Sequence, residues 1–282
     1  MKSALIVEGG ALRGIFSAGV LDGFLRRSFN PFDFSIGVSS GASNLAAYLA
    51  EMEGRNARIY MDHSLRPEFV NPARFLRGGH LMDLDWLWVV TIRDMRLNRK
   101  VIYSKGKPFF AVMTDVASGR AVYEETRPDN LEDVLKASSA MPLLYRGFPV
   151  IDGRPMADGG IADALPAGEA IRRGASRLMV LRSRSPEYVK GRGLADRFME
   201  WYLRKTPALA RTAAGRAVRY NRSVSLIRTP PRGVSVVEVC PPSRFRVSRL
   251  SRDRAVLDEG YEMGLAAAGE TIRRWEEESI PR

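Results

Sequence analysis

The chain has 282 residues, 45% apolar and 27% charged, the balance of a globular protein long enough to bury one large core rather than of a disordered chain. No apolar run reaches the roughly 18–20 residues of a membrane span, and "ALIV" near the N-terminus is too short for the ~7–15-residue apolar region of a secretory leader, so a cytoplasmic location is expected. Cys240, alone, excludes an internal disulfide and a cysteine-based zinc site, and the net charge of +12 has one source: residues 172–254 hold 21 Lys+Arg against 5 Asp+Glu, whereas residues 1–171 hold 20 of each.

In chain order, "ALIV" (4–7) reads as a buried strand running into glycines. "GIFSAGVLDGFLRR" follows at near-helical spacing, with Arg26 and Arg27 in its last turn. "FDFSIGV" (32–38) is a second strand, turning through "SSG" into a helix, "ASNLAAYLAEMEG", expected to stop at Gly54. Strand, helix, strand, helix predicts an α/β fold: a three-layer α/β/α sandwich with a largely parallel central sheet. Residues 72–90 are aromatic-rich without a clean period and read as a loop and a short helix. "PFFAVMTD" (108–115) and the apolar-polar run over residues 119–125 suggest a hairpin, and "NLEDVLKASSA" a helix capped by Asn130 and ended by "MP". "PAGEAIRRG" is a helix with proline early and glycine past its end. "RLMVL" (177–181) and "GVSVVEVC" (233–240) are strands, and "SRSPEYVKGRG" (183–193) a flexible connection. Residues 194–228 read as two basic helices divided at Pro207, and about 252–278 as a closing helix of a single domain.

Between the second strand and its helix stands Gly37-Val38-Ser39-Ser40-Gly41, a G-x-S-x-G pattern. Small residues there let the backbone turn sharply, so that the Ser39 hydroxyl stands at a helix N-terminus. A hydroxyl needs a base, and hydrolases built on this turn normally place a histidine late in the chain. Here the two histidines are His63 and His80, both early, so the usual order cannot be completed. Either one of them reaches back from an atypical position or a desolvated carboxylate serves instead. Asp158, in "ADGG", is the best-placed carboxylate, although spacing alone does not separate it from Asp152.

The first glycine loop, "VEGGALRG" (7–14), fits nucleotide motifs poorly. It lacks the Lys-Ser/Thr of a P-loop, and Ala11 occupies a glycine position of the dinucleotide fingerprint. With Gly9-Gly10-Ala11-Leu12-Arg13-Gly14, Gly37-Val38-Ser39-Ser40-Gly41 and Asp158-Gly159-Gly160 in that order, the chain resembles the compact bacterial patatin-like phospholipases. "ASSAMPLLY" (137–145), "YNRS" (220–223) and "RDRAVLDEGYEMG" are similar to further parts of that family, so the resemblance spans nearly the whole chain. It implies a lipid acyl hydrolase with a Ser–Asp dyad: Ser39 as nucleophile, Asp158 as general base, and N–H groups of Gly9, Gly10 and Ala11 as the oxyanion hole. It implies no metal or organic cofactor. The family pattern has glycine where Ala11 stands, which would be strained if φ is positive there.

The arginine-rich stretch interleaves aromatics, as in "RFMEWYLRK" (197–205), and suits peripheral contact with the anionic inner face of a membrane. Nothing in it resembles a nucleic-acid-binding module. The alternative to an enzyme is a retired hydrolase scaffold acting as a membrane-surface or partner-binding module.

Overall fold

A computed structural model describes residues 1–278. Among these residues, eight strands form one sheet: β1 (Lys2–Val7), β2 (Phe34–Val38), β3 (Phe109–Asp115), β4 (Ala121–Glu125), β5 (Val150–Ile151), β6 (Arg154–Asp158), β7 (Ala175–Leu181) and β8 (Ser235–Val239). Their order is β5-β6-β3-β2-β1-β7-β8, with β4 also on β3. Strands β1, β2, β3, β7 and β8 are parallel, and the β3–β4, β3–β6 and β5–β6 pairs are antiparallel.

The helices are α1 (Ile15–Leu25), α2 (Ser40–Leu49), α3 (Arg55–Arg58), α4 (Pro72–Leu76), α5 (Leu84–Met95), α6 (Arg99–Ser104), α7 (Leu131–Ser138), α8 (Ala167–Arg172), α9 (Leu194–Tyr202), α10 (Pro207–Ala214), α11 (Arg216–Arg228) and α12 (Arg254–Glu277). The period-2 alternation of each strand sorts side chains onto two faces. On one face Leu5, Val7, Phe109, Ala111 and Met113 pack with residues of α1, α2, α7 and α12. On the other, Ala4, Ile6, Phe110 and Val112 pack with α8 and α11, including Tyr220, Val224 and Ile227. The result is the expected three-layer sandwich. Strands buried on both faces need continuous apolar runs, which is why "ALIV" and "RLMVL" do not alternate with polar residues.

Helix α1 is enclosed along almost its whole length because α12 lies directly against it. Glycines make that approach possible. A Cβ at Gly19 would sit 2.2 Å from the Tyr261 carbonyl oxygen, and one at Gly264 would sit 2.2 Å from that of Phe16.

Several boundaries differ from expectation. Helix α2 ends at Leu49 rather than at Gly54, because Glu51 adopts φ +56° and breaks the ladder; Gly54, at φ +72°, precedes α3 instead. Residues 194–228 hold three helices, since Gly215 adds a break to the one at Pro207. Asn130 is the cap residue of α7, but its side-chain oxygen accepts the N–H of Arg127 rather than one from the helix. The aromatic-rich segment gives α4 and the twelve-residue α5, capped by Asp83, whose side chain accepts the Trp86 N–H.

Candidate active site

Strand β2 ends at Val38, and the chain reverses at Ser39 with φ +54° and ψ −128° before entering α2. A non-glycine residue held there costs on the order of 1–3 kcal/mol, so the surroundings must fix it. They do so through a relay: the Ser39 N–H donates to Ser138 Oγ at 2.9 Å, and Ser138 Oγ donates to the Val112 carbonyl at 2.6 Å. The last turn of α7 thereby pins the elbow to β3.

The sheet then brings Asp158 to Ser39. Strand β3 pairs with β4 along one edge and with β2 along the other, as far as Val38 opposite Val112. The next residue of β3, Met113, pairs with Asp158 of β6. Strand β6 thus occupies the edge position that β2 vacates, entering from the opposite direction, and the two strand ends meet. Asp158 is buried, at 3% exposure; its Oδ1 accepts the Gly160 N–H at 2.7 Å, and its carboxylate lies beside the Ser39 side chain. Burial pushes its pKa above the ordinary carboxylate range, while the neighbouring Ser39 side chain, the charge of Arg216 and the Gly160 N–H oppose the shift. Asp152 lies far from this chemistry in role: with Gly153 it forms the exposed turn of the β5–β6 hairpin, both at positive φ.

The glycine loop covers the elbow from the end of β1. A Cβ at Gly9 would lie 2.6 Å from the Val38 carbonyl oxygen, so only glycine lets the loop approach this closely. The Gly10 N–H donates to Ser40 Oγ at 2.9 Å. Ala11 adopts φ +50°, the conformation that glycine takes without cost and that alanine holds against strain. Arg13, buried under the loop, donates from Nε to the Ser183 carbonyl at 3.2 Å. The Ser183 hydroxyl donates to the Gly9 carbonyl at 3.0 Å, and its N–H to Glu8 at 2.7 Å. Ser183 directly follows the β7 strand residues and Arg182, and together with Ser40 and Ser138 it anchors the site. Ser40 falls within the G-x-S-x-G pattern and Ser138 within "ASSAMPLLY", but neither pattern marks them as anchors, and Ser183 belongs to no such pattern.

Ser39, Asp158 and the loop line one cleft of about 1520 Å³, its open mouth included. Its lining includes apolar residues of α5 and its neighbours, among them Phe69, Met82, Leu87, Trp88 and Leu144. It also includes Arg184, Lys190, Arg216 and Arg249, with Tyr188 and Tyr220. The Tyr220 hydroxyl accepts from Arg182 at 3.0 Å and lies close enough to Glu8 to feel its charge, which gives "YNRS" a place under the loop. Neither histidine is in the lining. His63 is buried, and His80 stacks on Tyr145 with ring centroids 4.2 Å apart and accepts the Arg146 N–H. The arrangement can place a hydroxyl, a carboxylate with raised pKa and backbone donors around one acyl carbonyl.

A family described as patatin-like phospholipase matches residues 5–171, and one described as a domain of unknown function (DUF6363) matches residues 206–278. Among relatives, the uncharacterized protein YjjU of Escherichia coli (strain K12) is 35% identical over 274 residues, covering 93% of this chain and 75% of that protein. An uncharacterized NTE family protein of Mycobacterium tuberculosis is 28% identical over 170 residues, covering 58% of this chain and 44% of that protein. The crystal structure of VipD from Legionella pneumophila aligns with a TM-score of 0.45 and 14% identity over 96% of this chain and 67% of that one.

Proposed function

The chain belongs to the patatin-like phospholipase family, and from that premise we propose that it is a serine acyl hydrolase of lipid esters working through a Ser39–Asp158 dyad. The family supports lipid hydrolysis in general. The observation that carries the finer reading is the Ser39 elbow standing beside the buried Asp158 carboxylate, beneath the glycine loop.

Asp158 accepts the Ser39 proton as the serine oxygen adds to the ester carbonyl. The tetrahedral oxyanion takes hydrogen bonds from the glycine loop. Of the three expected donors, Gly10 already serves Ser40, so Gly9 and Ala11 are assigned to the oxyanion and Gly10 to positioning the loop. Each such donor contributes roughly 3 kcal/mol in the transition state. Collapse passes the proton from Asp158 to the departing alcohol and leaves an acyl ester on Ser39. Water, activated by Asp158, then releases the fatty acid and restores the serine. The apolar lining that α5 supplies, with Leu84, Leu87, Trp88 and Ile92, is suited to the acyl chain.

Contact with an anionic bilayer is assigned to α9. Phe198 and Trp201 are 51% and 57% exposed, their rings stack with centroids 5.5 Å apart, and the Arg204 guanidinium lies 4.6 Å from the Trp201 ring. Among the described residues no helix is long and apolar enough to cross a membrane.

A fluorophosphonate probe with peptide mapping tests the dyad. Label is expected on Ser39, and Ser39→Ala is expected to fold normally, remain unlabelled and lose hydrolysis of a medium-chain chromogenic ester. Undiminished turnover by Ser39→Ala would sink the assignment.

A further inference from the structure

We infer that Arg184, Lys190, Arg216 and Arg249 form a subsite beside the dyad for the phosphate monoester head of the acyl-ester substrate. This rests on reading the cleft as the acyl-ester site.

All four side chains are partly buried and line the cleft that holds Ser39 and Asp158. Among the described residues none of them forms an ion pair, although nineteen such pairs occur elsewhere on the molecule. They are held in place by other means. Arg216 Nε donates to the Gly160 carbonyl at 2.7 Å, two residues from Asp158. The Arg184 guanidinium lies 4.3 Å from the Tyr188 ring centroid. The backbone of Lys190 is clamped by the Asn221 side chain, which accepts its N–H at 2.9 Å and donates to its carbonyl at 3.0 Å.

The carboxylates whose charge acts most strongly on Lys190 and Arg216 are Glu8, Asp158 and Asp196. Glu8 accepts the Ser183 N–H, Asp196 the Gly193 N–H and Asp158 the Gly160 N–H. These four cations, with Arg13, outnumber the three carboxylates, so positive charge is left over. Burial, followed by repulsion from Arg216 and Arg249, brings the Lys190 ammonium down to about 8, and Arg216 is lowered by burial and by Arg249. Cations gathered against their own repulsion in a half-desolvated cleft favour a compact anion of more than one charge, which is a phosphate monoester near neutral pH. A zwitterionic head would bring its own ammonium into the same field and is disfavoured.

The subsite also gives the later part of the chain a task. All four residues lie beyond residue 171, where the phospholipase match ends, and Arg216 and Arg249 fall in the segment of the second match. The chemistry-bearing residues and the residues that choose the head group thus come from different stretches of sequence.

The test uses Ser39→Ala protein, in which nothing turns over, and calorimetric titration with octyl phosphate, inorganic phosphate and octyl glucoside. Octyl phosphate is expected to bind about tenfold or more tighter than either other probe, and to lose about tenfold in affinity when Lys190→Gln and Arg249→Gln are combined. The thermal melt of the combined variant checks its fold, and Arg184→Gln alone provides a milder version. Equal binding of octyl phosphate and octyl glucoside, or full binding by the combined variant, overturns the subsite. Inorganic phosphate binding as tightly as octyl phosphate overturns a lipid head as its ligand.

In active protein, the kcat/KM ratio for a monoacylglycerol phosphate over the matching monoacylglycerol should fall about tenfold in Arg249→Gln, through KM. Phosphate-selective binding by a parent protein that hydrolyses no ester would remove the hydrolase reading alone. Ester hydrolysis without phosphate preference would remove the subsite alone.

Discussion

Asp158 is held under two opposed demands. To accept a proton it must be ionised, yet burial disfavours the ion and raises its pKa. The activity profile should therefore have an acid limb above the ordinary carboxylate value of about 3.9, with activity lost as pH falls through it. Stability runs the other way. The unfolded chain ionises this group freely near pH ~3.9, whereas the folded one resists until the raised pKa, so stability declines as pH rises across that window. Asp158→Asn should accordingly lose activity by roughly 10²–10⁴-fold while unfolding at higher urea than the parent at pH 7. The stability gap should close near pH 4, and a variant less stable than the parent at pH 7 contradicts the burial argument. Ala11 poses a smaller conflict. At φ +50° glycine relieves strain of about 1 kcal/mol, offset by the ~0.4–1 kcal/mol that its freedom adds to the unfolded state. Ala11→Gly should therefore shift denaturation by less than about 0.5 kcal/mol, against a loss of roughly 1 kcal/mol for Ala18→Gly inside α1. A loss at Ala11 as large as at Ala18 would mean that the strain is not felt.

At the scale of elements, the buried strands and the helices flanking the two glycine motifs were legible because each had one dominant periodic signal. Helix α5 was not, since Trp86 and Trp88 are both half-buried while Val89 between them is exposed, which blurs the period. The break at Gly215 was missed because a single glycine in a basic run looks like a tolerated interruption. Helix α9 carries the prediction for this scale. Phe198→Ser with Trp201→Ser should abolish most binding to vesicles containing anionic lipid, with little change in hydrolysis of a water-dissolved ester. Binding should also fall as salt rises from about 0.05 to 0.5 M, because exposed cations act over a Debye length of only ~10 Å at 0.1 M. Undiminished, salt-insensitive binding by the double variant would move the contact elsewhere.

For the whole molecule, the phospholipase match ends before β7, yet β7 and β8 complete the sheet beyond β1, and α12 covers α1. A chain ending at Ser251 lacks α12 and exposes the core around Phe16, Val20 and Phe24. It is expected to show no cooperative thermal unfolding by circular dichroism, whereas a sharp transition would mean that the remainder folds alone.

Taken alone, the sequence determined the α/β class, the exposed serine at the turn after β2, the early position of both histidines and the place where positive charge collects. Each of these is set by local patterns of residue type. Asp158 could not be separated from Asp152 in that way, nor Ser138, Ser183 and Arg249 tied to the site. Those assignments depend on which strand edge β6 takes up when β2 ends and on where the later loops fold back. They are contacts between residues tens to hundreds of positions apart, and only the packed sheet, with its two edges per strand and one register, decides them.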